Sequence, residues 1–324
     1  MKASLLIFGI FSVFSSARSF ASVSSAIANY PPQFVEAKPQ YNGPNCWNSA
    51  LVARGVLPAL RYTSPQEMSF YMESPLCREL NDLEPRKSGD IVAIRSVYLR
   101  DKAVWIHETH GFVIVGDKDS FSKASALKMT AFQPSNLDDV LTSFRVPADV
   151  QCRGNSVVIN SACPYSTSVY RCEKMDNFVK HSNLARPVTK ALKLISSFEV
   201  ALENKTMAGT DLTNQDRNLL HDGVLIAIDY ARSPAKQSMG ANNKFVLAAL
   251  QFRLGSILKQ LDDKFMQTDP NYASSSEDGF LKEESLSDSI KRDMYELRLV
   301  LPESLKVPIE QTDQRYFKGL INHH

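Results

Sequence analysis

The sequence predicts an α+β fold: a helix that opens at a cysteine, a sheet after it, and an all-α region that fills the second half of the chain. Three observations carry this. Gly43-Pro44-Asn45-Cys46-Trp47-Asn48-Ser49-Ala50-Leu51 reads as a turn entering a helix, since Pro44 suits a helix opening and Trp47, Ala50 and Leu51 recur at i, i+3 and i+4. Ile91-Val92-Ala93-Ile94, Val104-Trp105-Ile106 and Phe112-Val113-Ile114-Val115 are short apolar runs bounded by glycine and polar residues, the pattern of strands. After Cys172, apolar residues fall at helical spacing over residues 188–202, 219–231, 244–265 and 286–301.

The chain begins with Met1-Lys2, an apolar run from Ala3 to Phe14, and Ser19-Phe20-Ala21. This is the charged, apolar and small-residue order of a secretory signal peptide, with cleavage expected after Ala21. The run is shorter than the roughly 20 apolar residues that a membrane span needs, so no stable span is expected. Removing residues 1–21 takes Lys2 and Arg18 from 37 basic residues and leaves 35, equal to the 35 acidic ones. A neutral mature chain argues against a nucleic-acid partner, which calls for a basic patch or stripe. The expected location is secreted or periplasmic. Residues 22–39, rich in Ser, Ala and Pro, read as a leader.

Cys46 at the first turn of a helix has the setting of a nucleophile. A helix N-terminus and a nearby imidazolium both favour the thiolate, the reactive form. His110, 64 residues later, stands at the mouth of the run Gly111-Phe112-Val113-Ile114-Val115-Gly116 and is the expected base. His107 is its rival. Backbone N–H groups at the start of the helix would hold a developing oxyanion, with the Asn45 side chain as an extra donor.

Asn45-Cys46, Gly89-Asp90-Ile91-Val92 and His110-Gly111-Phe112-Val113-Ile114-Val115 resemble, in order and spacing, the NlpC/P60 and CHAP group of papain-like cysteine peptidases and amidases. The resemblance covers roughly residues 40–145. It implies a papain-like unit whose nucleophile helix packs on an antiparallel sheet, with Cys46 as nucleophile and His110 as base. Asn45 and Trp47 depart from the acidic and small residues that usually flank the cysteine. The third residue, which orients the histidine, is expected on the strand after His110. Ser122 is the candidate there, because it can accept from the imidazole N–H, whereas the Lys123 ammonium has donors only. No cofactor is expected. Nor is a metal, since His107, Glu108 and His110 have no further ligand at a spacing that completes a zinc site.

Ser64-Pro65 announces a second helix, with Met68, Tyr71 and Met72 at core spacing. The organisation expected is a cysteine hydrolase domain over residues 40–148, a cysteine-containing linker over 149–180 and a helical accessory domain over 181–324. Five cysteines, at 46, 77, 152, 163 and 172, leave at least one unpaired. If it is Cys46, the other four can form two bridges; a Cys46–Cys77 bridge would abolish nucleophilic function. The activity expected is hydrolysis of amide bonds, with peptidoglycan peptides as the leading substrate class, and acyl transfer is equivalent up to the second step. The rival from another class is a secreted binding or structural protein that keeps the fold without the chemistry.

Overall fold

The computed structural model describes residues 44–81, 83–100, 103–116, 118–123, 132–146, 165–233, 239–268 and 286–300. The signal peptide, the leader, most of the linker with Cys152 and Cys163, and the last 24 residues lie outside the described residues.

Helix α1 (Cys46–Arg54) begins at Asn45, whose side chain accepts from the Asn48 N–H, and ends at Gly55. Gly55 has φ of 75°, a left-handed conformation that costs glycine little, and its N–H returns to the Leu51 and Val52 carbonyls. Helix α2 (Pro65–Met72) starts at the expected pair, with the Ser64 side chain accepting from the Glu67 N–H and Pro65 in the first turn.

One sheet holds six strands: β1 (Cys77–Glu79), β2 (Ile91–Arg100), β3 (Ala103–Ile114), β4 (Asp119–Lys123), β5 (Phe132–Asn136) and β6 (Tyr165–Cys172). Their order is β1-β6-β2-β3-β4-β5, and every neighbouring pair is antiparallel. Two features differ from the sequence reading. The runs at 104–106 and 112–115 belong to one long strand, because β2 pairs with the polar stretch between them and a bulge at Thr109 absorbs the extra residue. Residues 165–172, expected within a linker, form β6 and lie between β1 and β2. Their serines and threonines gave no apolar alternation, and only long-range pairing makes them a strand.

The two faces of the sheet bury different clusters. Ile91, Ala93, Val113 and Phe121 meet α1 and α2 on one face. Val92, Ile94, Phe112 and Ile114 meet Leu137 and Phe144, from the short helix α3 (Leu137–Ser143) and its end, on the other.

From Met175 onward the described elements are all helical: α4 (Met175–His181), α5 (Arg186–Ala208), α6 (Asn214–Arg232), α7 (Ala241–Thr268) and α8 (Leu286–Val300). A capping box of Thr213 and Asp216 opens α6, and Gly209 closes α5. The apolar faces of these helices do not close on themselves. Phe198 of α5, Val224 of α6, Leu250 of α7 and Leu297 of α8 join the same cluster as Leu51, Tyr71 and Val113, so one core crosses the expected domain boundary.

A buried ion cluster crosses it too. The Arg61 guanidinium donates to both Glu67 oxygens at 2.8 and 2.6 Å and to Glu199 of α5 at 2.8 Å. Arg253 of α7 donates to both oxygens of Glu199 as well, and the Ser256 hydroxyl donates to Glu67 at 2.6 Å. Two cations and two anions balance. Burial alone would raise the Glu199 carboxyl, yet the charges of Arg253 and Arg61 together hold it below the ordinary carboxylate range.

Among the described cysteines, Cys77 and Cys172 are bonded across the β1–β6 pair, and Cys46 is free and buried. The Cys46–Cys77 alternative is therefore not formed. Closing a loop of 95 residues stabilises the fold by about 4–5 kcal/mol in the chain-entropy picture.

Removing one partner of the ion cluster leaves a buried charge uncompensated. Glu199→Ala should cost about 3–5 kcal/mol in urea unfolding at neutral pH, whereas a loss under 1 kcal/mol would show that the cluster does not tie the layers together.

Candidate functional site

Cys46 stands where the sequence puts it, at the first position of α1 and packed against the central strand β3. Gly111 of β3 makes that approach feasible. A Cβ there would lie 3.1 Å from Trp47 Cδ1 and 3.2 Å from Met68 Cε, so even an alanine would require these two side chains to give way by a few tenths of an ångström. The thiol is 5% exposed. Burial pushes it up to about 11 from 9.0, against the pull of the N–H groups of Gly111, Trp47 and Cys46 and of the Lys123 charge.

His110 does not share this site. Side chains alternate along a strand, so Gly111 facing Trp47 directs His110 to the opposite face. There its ring stacks on Phe144 with centroids 4.7 Å apart and lies 6.0 Å from Phe112. Burial is the one cause that moves it, down to about 4 from 6.5, and no charge from Cys46 contributes. The expected nucleophile and base are thus separated by the thickness of the sheet. His107 is on β3, with its side chain outside those described.

The strand β4 repeats the division. Phe121 belongs to the cluster under α1, so Ser120 and Ser122 face the other way, with His110. Among the described residues no hydrogen bond joins Ser122 to the His110 ring, and the expected third residue does not orient it. Lys123, set aside in the sequence as a donor, has the parity of Phe121 and comes to the thiol instead. It is fully buried, and burial lowers its ammonium to about 8 from 10.5, partly opposed by Cys46. The signal for it was the strand's period of two combined with the face that Phe121 takes.

Asn45 is a scaffold residue. Its side-chain oxygen accepts from the Asn48 N–H at 3.0 Å, and its amide donates to the Thr63 carbonyl at 2.7 Å, so the expected oxyanion donor is engaged with the chain itself. Asn48 completes the clasp, donating to Thr63 Oγ1 and the Ala59 carbonyl and accepting from the Arg61 N–H.

A polar patch lies on the same face as Cys46, toward the far end of β2 and β3. Arg95 donates to Glu108 at 2.8 Å, and Ser69 of α2 donates to the same oxygen at 3.0 Å. The second oxygen of Glu108, the Ser166 and Ser168 hydroxyls and the Trp47 indole N–H are buried without a partner among the described residues. Apart from Trp47 beside the cysteine and Glu108 between two histidines, nothing in the sequence sets these residues apart. Glu108 and His110 point to opposite faces across the bulge at Thr109, and among the described residues no group of three or more His, Cys, Asp or Glu is gathered as for a metal ion.

The buried imidazole has a consequence for acid stability. A histidine held at about 4 in the folded chain and 6.5 in the unfolded one takes up its proton first in the unfolded state. Stability is therefore lost as pH falls from 6.5 toward 4. His110→Phe, which keeps the stack on Phe144, should remove that component and be about 2 kcal/mol more stable relative to the parent at pH 5 than at pH 7.5. Equal differences at both pH values in urea unfolding would contradict a buried neutral ring.

Comparison of the chain with protein-family models, with curated proteins and with solved structures gives no match, so its functional reading rests on the residues described above.

Proposed function

We propose that the chain is an exported binding protein whose cysteine helix and antiparallel sheet are arranged like those of the papain-like NlpC/P60 and CHAP domains, with Cys46 as a packed thiol and not a nucleophile. One observation carries this reading: the sheet lies between Cys46 and His110. A thiol held near 11 is ionised in roughly one molecule in ten thousand at pH 7. Thiolate is the reactive form, and the imidazolium that would favour it faces Phe144 instead. Export is supported by the signal-like N-terminus together with the Cys77–Cys172 bond, which persists in oxidising compartments. Among the described residues no helix is long and apolar enough to cross a membrane.

A second reading is favoured by Lys123. An amine held near 8 is within the range in which lysine serves as a general base, and it adjoins a thiol surrounded by backbone N–H groups. In that reading neutral Lys123 takes the thiol proton and Cys46 attacks the carbonyl of an amide, with peptidoglycan peptides as the leading class. The N–H groups hold the oxyanion, the C–N bond breaks as protonated Lys123 returns its proton to the leaving amine, and the acyl group then passes from the thiol to water or to another amine. The polar patch around Glu108 would face the substrate.

Iodoacetamide labelling at pH 7.5, followed by peptide mapping, separates the two. Native protein should leave Cys46 unlabelled over a time in which urea-unfolded protein labels it fully, and the protein should not turn over purified peptidoglycan or acyl-peptides. Rapid native labelling, with turnover abolished by both Cys46→Ala and Lys123→Met, would replace the first reading by the second.

A further inference from the structure

A cavity of about 520 Å³ opens at the β1 edge of the sheet, beside the Cys77–Cys172 bond, and its lining is rich in cations. Arg54, Arg78, Arg171 and Lys174 line it, against the single carboxylate of Glu173. Glu173 is already held by His181, whose Nε2 lies 2.9 Å from both of its oxygens.

The four cations divide into two kinds. Arg78 and Arg171 stand directly opposite each other in the β1–β6 register, a cross-strand pairing of like charges that is unfavourable by itself. Each has its own carboxylate: Glu84 binds Arg78 at 2.8 and 2.7 Å, and Asp90 binds Arg171 at 2.9 and 2.8 Å. Arg54 and Lys174 have none among the described residues. Arg54 ends α1 and is fixed by its Nε–H donating to the Cys172 carbonyl, which leaves the outer guanidinium nitrogens for another acceptor. Lys174 lays its stem over Gly55, where a Cβ would meet its Cγ at 3.3 Å, so the glycine that closes α1 also seats the lysine. Arg54 is anchored to backbone through its Nε–H and the Lys174 stem packs over Gly55, while Leu76 and Cys172 add apolar surface to the lining.

We propose that this cavity is an anion site. It takes a small ligand through a carboxylate or phosphate group, with Arg54 and Lys174 as the direct contacts, Arg78 and Arg171 as a positive rim, and the Leu76 and Cys172 surface against an apolar part of the ligand. The proposal rests on the binding-protein reading and names the chemistry of what is bound. An arginine with a fixed Nε presents its remaining N–H groups in one plane, which suits a planar or tetrahedral oxyanion, and a lysine beside it adds a point charge.

The test uses the mature chain and three probes, N-acetyl-leucine, its amide and inorganic phosphate, followed by isothermal titration calorimetry and by backbone NMR shifts of residues 54, 78 and 171–177. Binding of N-acetyl-leucine and not of its amide assigns a carboxylate; binding of phosphate alone assigns a phosphate. In either case Lys174→Gln and Arg54→Gln should each weaken the affinity about tenfold, the loss of one charge-assisted hydrogen bond. Lys180→Gln, on α4 outside the cavity, should leave it unchanged. Shifts confined to other surfaces, no binding of any probe, or equal weakening by Lys180→Gln would overturn the site. These failures are separate from that of the functional reading, which falls only if Cys46 proves reactive and catalytic.

Discussion

The four-charge cluster of Arg61, Glu67, Glu199 and Arg253 is the constraint on which the rest depends. A fully buried arginine is tolerated only where its charge is balanced and its donors are used, and here two carboxylates from different layers do both. That requirement fixes the loop after α1 against α5 and α7. The loop in turn fixes the start of α1, because Asn48 accepts from the Arg61 N–H and Asn45 donates to the Thr63 carbonyl. The Asn-Cys-Trp-Asn stretch therefore has a structural explanation for each of its asparagines. The helical half is not an appendage: it supplies two of the four charges and much of the core that holds the cysteine helix in place.

The sheet then decides the chemistry. A bulge at Thr109 changes which residues of β3 face the helices, putting Glu108 and Gly111 on the side of α1 and α2 and His110 on the side of Phe144. A histidine among aromatic rings, with no hydrogen-bond acceptor among the described residues, is best kept neutral, and burial does this. On the other face, the thiol and Lys123 each shift toward the uncharged form for the same reason. Cys46, His110 and Lys123 are thus all moved toward their uncharged forms by burial.

Much of the architecture was legible. Pro44 and Ser64-Pro65 marked two helix starts, Gly89-Asp90 marked the entry to β2, and the apolar spacing after Cys172 marked α5 to α8, because each is a local signal. The pieces that were not legible are those set by partners far along the chain. The serines and threonines of 165–172 become a strand only between β1 and β2, and Arg61 looks like a loop arginine until Glu199 meets it. The site shows the same limit. The alternation of His110, Phe112 and Ile114 placed them on one face together, but which face met Cys46 was not in the pattern. Gly111 was the clue, as the one residue of that strand small enough to sit under Trp47. The period of β4 likewise pairs Phe121 with Lys123, so the lysine beside the thiol follows from strand parity once the face of Phe121 is known.

Whether Cys46 and His110 interact can be read from an NMR titration of the His110 ring in the parent chain and in Cys46→Ser. With the sheet between them, the His110 midpoint should lie well below 6.5, near 4, and be the same in both proteins within a few tenths of a unit. A midpoint that moves by a unit or more when the thiol is replaced would mean that the two groups share a site on one face of the sheet.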